Sequence, residues 1–400
     1  MNINFFKTWS KQKNIDLDEI LEIVDSNHFK TKHHGVIFDF SSISFQCSFG
    51  LKNQRIENVL KKQIDKISFS NPNYQIKIQK DVSENLIKLV KQKGKVFYTT
   101  SGAESVSNAI KITRQATGKK LIYSLKKSYH GAIDEALEVT GDWRRENHNI
   151  PRNHHRWLPD PSTDPTFSKS LKVLTSNSDN LCGIIIEPTS GKNGVFTPPQ
   201  EWWRNMIKAK KELGFKVIVD EVVCGFYRTG NAFGHHAFPI KPDVICMAKA
   251  ISGGFVPFGA VFFNNKISKC FANKILSAGL TNYAHPLGLS ATATVLNIIN
   301  STNFKRTLKK NMELLKDFEH SLKSNYTTRI NGMLLAVDFN EQITKEYFLN
   351  SGLGVIVNNK TLILAPSLNC PPSLLKKNLK KLASIINGQI RESNVFKKIG

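Results

Sequence analysis

The sequence predicts an α/β protein with a large domain, built on a mostly parallel sheet flanked by helices, and a small α+β lobe. Short apolar runs alternate with helix-like segments from about residue 50 to residue 290, and this alternation is typical of parallel strands joined by crossover helices. A chain of 400 residues exceeds what one hydrophobic core usually serves. After about residue 290, two helices, a short strand pair and a Lys-rich amphipathic end indicate the second lobe.

These changes of pattern predict three segments. Residues 1–49 form an N-terminal segment that joins the small lobe, residues 50–290 form the large domain, and residues 291–400 form the C-terminal small domain. The N-terminal segment is predicted to contain a helix over residues 17–24 and then a short strand over residues 36–38.

Within the large domain, the apolar runs predict strands at residues 96–98, 121–123, 183–186, 217–219 and 244–247. The polar interval over residues 141–170 interrupts the alternation and is predicted to be a long surface or active-site loop. In the small domain, a strand pair is expected near residues 332–339 and 361–364. Ligands of such folds collect at the carboxyl ends of the parallel strands, so functional residues are sought there.

The formal charge of +24 does not by itself indicate a nucleic-acid partner. The lysines are spread along the whole length, and the chain is also rich in Asn and Ile, which indicates a compositional bias rather than one binding stripe. No apolar run approaches the roughly 18 residues that cross a bilayer, and residues 1–12 lack the apolar stretch of a secretion signal. We therefore expect neither a nucleic-acid nor a membrane partner, and a cytoplasmic protein.

Metal binding is also not expected. The six cysteines are scattered without CxxC pairing, which argues against a zinc site or a disulfide framework. Two pairs of adjacent histidines occur, but neighbouring side chains point in different directions and no carboxylate or cysteine spacing supports a site; they are His154, His155, His235 and His236.

Two strand ends of the large domain carry candidate functional residues. One is followed by a turn that could bind an anion, and the other ends in an aspartate. Ser101, Gly102 and Ala103 form a small-residue turn between a strand and a helix, where free N–H groups and the helix dipole favour a phosphate. An ordinary helix N-cap would have the same sequence. Asp220 ends the strand at residues 217–219, and a buried acid there needs a partner, either a protonated pyridine nitrogen or a structural salt bridge.

A third strand end carries a lysine. Lys249 follows the strand at residues 244–247, lies between two alanines and precedes the pair Gly253-Gly254. An apolar setting of this kind lowers the pKa of an amine and favours imine formation. The alternative is a lysine whose stem is buried and whose amine reaches solvent.

Taken together and in this order, these features resemble the class III aminotransferases, which are fold-type I enzymes dependent on pyridoxal 5'-phosphate (PLP). The resemblance extends from about residue 38 to residue 366. The matching motifs are Ser101-Gly102-Ala103-Glu104, Tyr129-His130-Gly131, Glu187-Pro188 with Gly191, Asp220-Glu221-Val222, Arg228-Thr229-Gly230, Ala248-Lys249-Ala250, and Thr281 before His285-Pro286-Leu287.

The resemblance implies a role for each matched residue. Lys249 would hold PLP as a Schiff base and move the proton between substrate and cofactor, and Asp220 would keep the pyridine nitrogen protonated. Tyr129 and Val222 would sandwich the ring, next to His130. The phosphate would be held by the turn Ser101-Gly102-Ala103 and, across a homodimer, by Thr281.

Three departures from the family pattern concern the substrate. Ile363 stands about where many relatives have an arginine that clamps a substrate carboxylate, and Lys192 stands where its glutamate partner would be. The joint absence of the arginine and of its glutamate partner is physically reasonable, because either charge alone would be buried without a partner, which is costly. Lys192 is either a positive charge for an acidic substrate group or a solvated surface lysine. Val223 replaces a glutamine that many relatives place near the cofactor's 3'-oxygen.

The substrate itself is left between two alternatives. The N-terminal residues 5–12 resemble ω-amine:pyruvate aminotransferases, which implies transfer from a small ω-amino donor to a 2-oxo acid such as pyruvate. The run Leu364-Ala365-Pro366-Ser367 resembles glutamate-1-semialdehyde aminomutase, which moves the amine within one molecule. Trp143, Arg144 and Arg145 either line the active-site mouth or, as we expect, are exposed at the surface.

Overall fold

The computed structural model describes residues 4–13, 15, 17–148 and 154–396. Its strands are β1 (Ile20–Ile23), β2 (His28–Thr31), β3 (Gly35–Asp39), β4 (Gly94–Thr99), β5 (Leu121–Leu125), β6 (His155–Leu158), β7 (Leu181–Ile186), β8 (Lys216–Asp220), β9 (Val244–Met247), β10 (Gly259–Asn264), β11 (Thr327–Asn331), β12 (Leu334–Asp338), β13 (Leu353–Gly354), β14 (Ile356–Asn358) and β15 (Thr361–Leu364). All five strands predicted for the large domain are present.

The α-helical segments of the described residues connect these strands. They are α1 (Ser42–Phe45), α2 (Gln54–Lys66), α3 (Lys77–Val90), α4 (Gly102–Thr117), α5 (Asp134–Val139), α6 (Trp143–Glu146), α7 (Ser168–Thr175), α8 (Gln200–Leu213), α9 (Asn265–Ser268), α10 (Pro286–Asn300), α11 (Thr302–Leu322), α12 (Lys345–Leu349) and α13 (Pro372–Phe396). The segment α1 is a single turn with positive φ at all four of its residues, so it is left-handed.

A seven-stranded sheet in the order β4-β10-β9-β8-β7-β5-β6 forms the centre of the molecule. Its strands are parallel except β10, which runs antiparallel to both of its neighbours. All residues of β7 and β9 are buried, as expected for strands covered on both faces. The carboxyl ends of β4, β7, β8 and β9 therefore lie along one edge of the sheet.

Helices cover both faces of the central sheet by burying apolar stripes. Helix α8 places Trp202, Trp203 and Met206 against a core that includes Phe215 and Phe238, and both tryptophans are fully buried. Helix α4 packs Val106 and Ile110 against the opposite side of the strands. Burying a large apolar side chain contributes roughly 1.5–3 kcal/mol, so such contacts fix the helices on the sheet.

Two smaller antiparallel-rich sheets lie outside the central one. The predicted C-terminal strand pair is present as β12 and β15, within a sheet ordered β11-β12-β15-β14. The other sheet has the order β1-β2-β3-β13, so the N-terminal strands pair with a strand from the C-terminal part. The domain boundaries at residues 49 and 290 remain a prediction.

Arg228, in the loop after β8, connects segments from the N-terminal and C-terminal parts of the chain by hydrogen bonds. Its guanidinium is fully buried and donates to the carbonyl of Pro366 at 2.6 Å and to the hydroxyls of Ser42 and Ser48 at 3.2 and 3.0 Å. Burial lowers the pKa of Arg228 to about 9, and the nearby Asp39 carboxylate opposes that shift.

Two predictions of local structure are wrong. The segment 17–24 is not a helix, because Ile20–Ile23 forms β1 and satisfies its backbone by pairing with β2. Its apolar spacing fits a helix, but pairing in the tertiary fold outweighs a weak local propensity. The interval 141–170 is not simply a loop: it contains α6, the edge strand β6 and the start of α7, while residues 149–153 lie outside the described part. The strand β6 lies at the edge of the sheet, where it pairs only with β5.

Among the helices described, none combines the length and the apolar character that a membrane-spanning segment requires.

Candidate active site

A cavity of about 580 Å³ opens at the edge where the parallel strands of the central sheet end. Two groups of side chains line it. The floor cluster comes from strand ends and the loops that follow them: Gly102, His130, Glu187, Asp220 and Lys249. The mouth cluster consists of Trp9, Tyr129, Arg144 and Lys192, which also line the cavity, and of Trp143, whose ring contacts Arg144; both tryptophans are about half exposed.

Lys249 is separated from the end of β9 by Ala248 alone and begins a short 3₁₀ segment. Its φ is 47°, a left-handed conformation that is uncommon for a residue with a side chain and often occurs at functional sites. Its Nζ lies 5.9 Å from the centre of the Phe45 ring. Burial lowers the pKa of Lys249, although the carboxylates of Asp220 and Glu187 oppose the shift. A neutral amine is therefore more accessible here than at the surface, which is what a nucleophilic or basic lysine needs.

Asp220 ends β8 and reaches the cavity with its carboxylate held on two sides. One carboxylate oxygen lies 2.8 Å from Nδ1 of His130, and the other accepts the backbone N–H of Val222 at 3.0 Å. The Nε2 atom of His130 is buried without a hydrogen-bond partner. The structure thus gives Asp220 a histidine partner and, at the same time, a position lining the cavity.

The turn that precedes α4 is both a helix cap and part of the cavity wall. The Ser101 hydroxyl caps the helix by accepting the Glu104 N–H at 3.1 Å, and the Glu104 carboxylate accepts the N–H of Thr100, the residue before the cap, at 2.8 Å. Ser101, Gly102 and Ala103 all line the cavity. A Cβ on Gly102 would lie 3.0 Å from a methyl group of Val222, so glycine keeps this wall open.

Glu187 is a member of the floor cluster whose role the sequence did not single out. It follows β7 just as Asp220 ends β8, so the reasoning from strand ends already applied to Asp220 could have found it. Its side chain is buried and accepts the Ser190 hydroxyl at 2.8 Å. Burial raises the pKa of Glu187 to about 7, and the hydrogen bond from Ser190 opposes the shift.

In the mouth cluster, two cations contact one tyrosine ring. The Arg144 guanidinium carbon lies 4.8 Å from the Tyr129 ring centre, and Nζ of Lys192 lies 4.9 Å from it. Burial lowers the pKa of Lys192 to about 8, and the positive charges of Arg144 and Lys249 add to the shift. Lys192 is half-buried and lines the cavity, which does not fit the solvated surface lysine that the sequence left open.

The expectation that residues 143–145 are exposed is wrong for the two arginines. Arg144 and Arg145 are only 7% and 6% exposed, and Trp143 alone faces solvent. Arg144 is covered by Trp9, whose ring centre lies 4.6 Å from the guanidinium carbon. Trp9 comes from the N-terminal segment, so no local pattern around residue 144 indicates this burial.

The remaining candidates are divided between the cavity wall and the outside. Val222 and Val223 line the cavity, and Ile356 joins them from the small sheet. Ile363 is fully buried in the apolar cluster that contacts Val223 and Ile356, so no charge stands at this wall. Thr281 is exposed and does not line the cavity of the single chain.

The paired histidines are used in other ways. The ring of His155 lies 2.8 Å from the Ser124 hydroxyl, and Nδ1 of His235 lies 2.7 Å from the Glu221 carboxylate. Within the ranges that the structure describes, no three His, Cys, Asp or Glu side chains come together as a metal site.

The floor cluster fits PLP in its chemistry. It offers a buried amine at Lys249, a fixed carboxylate at Asp220, and the turn of Gly102 and Ala103 at the start of a 16-residue helix, with the Tyr129 ring beside them. Bound PLP withdraws electrons from the amine-bearing carbon of a substrate. The fold and this site together define an enzyme that transfers amino groups with PLP.

Comparison with known proteins agrees with this class. The chain belongs to the class-III aminotransferase family, whose model matches residues 29–386. It is 29% identical over 381 residues to the mitochondrial acetylornithine aminotransferase of Candida glabrata, covering 87% of this chain and 86% of that protein. It is also 26% identical over 309 residues to the glutamate-1-semialdehyde 2,1-aminomutase of Hyperthermus butylicus, covering 75% and 70%.

Among solved structures, the taurine:2-oxoglutarate aminotransferase of Bifidobacterium kashiwanohense superposes with a TM-score of 0.87 at 25% identity, over 96% of this chain and 95% of that chain. That structure was determined in complex with PLP and glutamate. An S-selective transaminase from Arthrobacter has the same fold, with a TM-score of 0.88 at 22% identity over 96% of each chain.

Proposed function

We propose that this enzyme moves an amino group from a small ω-amino donor to a 2-oxo acid such as pyruvate. The observation that carries the proposal is the contrast within one cavity. Lys249 and Asp220 provide the chemistry on the floor, whereas the wall at Ile356 and the buried Ile363 is apolar. An apolar wall suits the methylene chain of an ω-amino donor, because burying methylene groups is favourable.

Each floor residue has a defined task in this proposal. The neutral Nζ of Lys249 accepts the proton from the amine-bearing carbon of the substrate, and its lowered pKa makes the unprotonated amine available. Asp220 is held by His130 and the Val222 N–H, and its carboxylate would keep a proton on the ring nitrogen of the cofactor. The N–H groups of Gly102 and Ala103, at the start of α4, would hold the cofactor's phosphate.

The proposal includes a homodimer as the active unit. Thr281 is exposed and outside the cavity of its own chain, which is compatible with a contact to the phosphate bound by a partner subunit. Exposed apolar side chains such as Ile275 and Leu276 lie close to it in sequence. Sedimentation should give the mass of a dimer, and Thr281→Ala should weaken PLP retention on dialysis without dissociating the dimer. A monomer with full activity would refute this part.

Relatives support the ω-amino donor without defining it. The matching enzymes include one that acts on taurine and 2-oxoglutarate and a gamma aminobutyrate transaminase of Solanum lycopersicum at 28% identity. The test is an absorbance titration of the PLP-loaded protein with taurine, β-alanine, 4-aminobutyrate, alanine and glutamate. We expect an ω-amino compound to convert the cofactor to its pyridoxamine form and to release the corresponding carbonyl product.

The likeness to the aminomutase supplies the alternative outcome. The aminomutase reaction would replace the proposed transfer if the enzyme isomerised glutamate-1-semialdehyde without any added 2-oxo acid and if no amine of the panel converted the cofactor. A strict requirement for an external 2-oxo acid supports the proposal as stated.

A further inference from the structure

The mouth cluster has two cations, Arg144 and Lys192, and one nearby carboxylate, Asp142, that pairs with Arg144. Both cations line the cavity. The guanidinium of Arg144 is nearly buried, and its Nε has no hydrogen-bond partner. A buried donor without a partner is costly, so a group that binds there recovers free energy.

We propose that Arg144, together with Lys192, binds the anionic group at the far end of the substrate, a carboxylate or a sulfonate. The inference rests on the proposed function, because it assigns the specificity of the same cavity. It places the anion site on the loop that carries α6 and on the loop after β7, instead of on the strand β15, where Ile363 stands.

The position of Arg144 is fixed before any substrate arrives. Its guanidinium carbon lies 4.6 Å from the Trp9 ring centre and 4.8 Å from those of Tyr129 and Trp143. Three rings around one guanidinium restrain its side-chain rotation, so less entropy is lost when it binds an anion. Asp142 pairs with Nη1 on one side and leaves other N–H groups of the fork for a ligand.

Lys192 adds a second charge from a different part of the chain. It approaches the same Tyr129 ring at 4.9 Å, and burial together with the positive charge of Arg144 lowers the pKa of Lys192. Repulsion of this kind is relieved when an anion binds between them, as a carboxylate or sulfonate can. An amine without an anionic group would leave this repulsion in place. Arg144 and Lys192 should therefore discriminate between substrates with and without an anionic group.

The proposal also accounts for a donor whose amine and anion lie on different carbons. Lys249 follows β9 and Arg144 belongs to α6, and both line the same cavity, so a substrate that spans from one to the other carries its charge away from its amine-bearing carbon. The same cavity is lined by Ile356 and Val223, which suit a methylene chain.

The closing experiment compares two amines of equal length on the PLP-loaded enzyme, 4-aminobutyrate and n-butylamine. In Arg144→Gln, kcat/KM for 4-aminobutyrate should fall about 10- to 100-fold, mostly through KM, because one charge-assisted hydrogen bond is lost. The value for n-butylamine should stay within about twofold. Arg144→Lys should recover only part of the loss, since a lysine lacks the planar fork. Lys208→Gln, an exposed charge on α8, is the matched control.

A binding measurement separates this inference from the proposed function. Calorimetric titration with butanoate needs no turnover, and its dissociation constant should rise about 10- to 100-fold in Arg144→Gln. That result would stand even if no amine were transaminated. Equal losses for both amines, or butanoate binding that is unchanged in the variant, would overturn the assignment. The double variant Asp142→Asn/Arg144→Gln removes both charges of the ion pair and excludes an effect of the orphaned Asp142 carboxylate.

Discussion

The floor and the mouth of the cavity are built in different ways. Every member of the floor cluster lies at, or in a loop after, the carboxyl end of a central strand, and two of these strands, β7 and β9, are fully buried. The mouth cluster comes from the N-terminal segment and from loops, with two half-exposed tryptophans. Rigid strand ends suit chemistry that every substrate shares, whereas loops can change from one enzyme to another and set the specificity. Substitutions in the two clusters should therefore have different signatures.

The largest effect is expected on the floor, from Lys249→Ala. Removing the amine that accepts the substrate proton should lower kcat for every amine by about 10²- to 10⁴-fold or more. PLP should still bind weakly through the turn before α4, which dialysis and absorbance can measure. Lys266→Ala, at an exposed lysine on α9, should behave like the wild type. Activity of the variant close to that of the wild type would remove the basis of the site.

Asp220→Asn should have the next largest effect. The amide keeps the size of the side chain but loses the negative charge that faces His130 and the cavity. Losing a charge-assisted hydrogen bond should lower kcat about 10- to 100-fold for all amines alike. A loss confined to anionic amines would contradict the separation of floor and mouth, and steady-state kinetics with both amines decides between the two outcomes.

The pH dependence should single out the mouth. The pKa of Lys192 is about 8, because burial and the charges of Arg144 and Lys249 lower it against Asp142 and Glu187. Its positive charge is present below pH 8 and is lost as the pH rises through that value. The ratio of kcat/KM for 4-aminobutyrate to that for n-butylamine should therefore fall about 3- to 10-fold between pH 7 and 9.

The ratio of two amines removes effects common to both, such as titration of the substrate amine or of Glu187. In Lys192→Met the ratio should be low and nearly independent of pH. A ratio that falls equally in this variant would show that another group is responsible.

The smallest effect is expected for Trp9→Ala. One cation–π contact with Arg144 is lost, which is worth about 0.5–1 kcal/mol at an exposed site and corresponds to a two- to fivefold rise of KM for 4-aminobutyrate. The kcat for n-butylamine should not change. A large fall of kcat would mean that the N-terminal segment also positions the floor, which melting curves and PLP absorbance would reveal.

The sequence alone determined the floor of the site to a large extent. A local signal marks each of its main parts: a polar or glycine residue follows an apolar run at Lys249, Asp220 and Gly102. The topology of a parallel sheet then brings these strand ends to one edge. The same logic covers Glu187, although its raised pKa depends on burial that only the folded chain produces.

Only the tertiary structure decided the mouth. Arg144 sits in a polar stretch that resembles a surface loop, and it is buried because Trp9, distant in sequence, packs on its guanidinium. Residues 20–23 likewise become a strand because β2 supplies their hydrogen bonds, against a helical apolar spacing. In both cases the deciding free energy comes from contacts between segments that are distant in sequence, and a local sequence pattern does not predict such contacts.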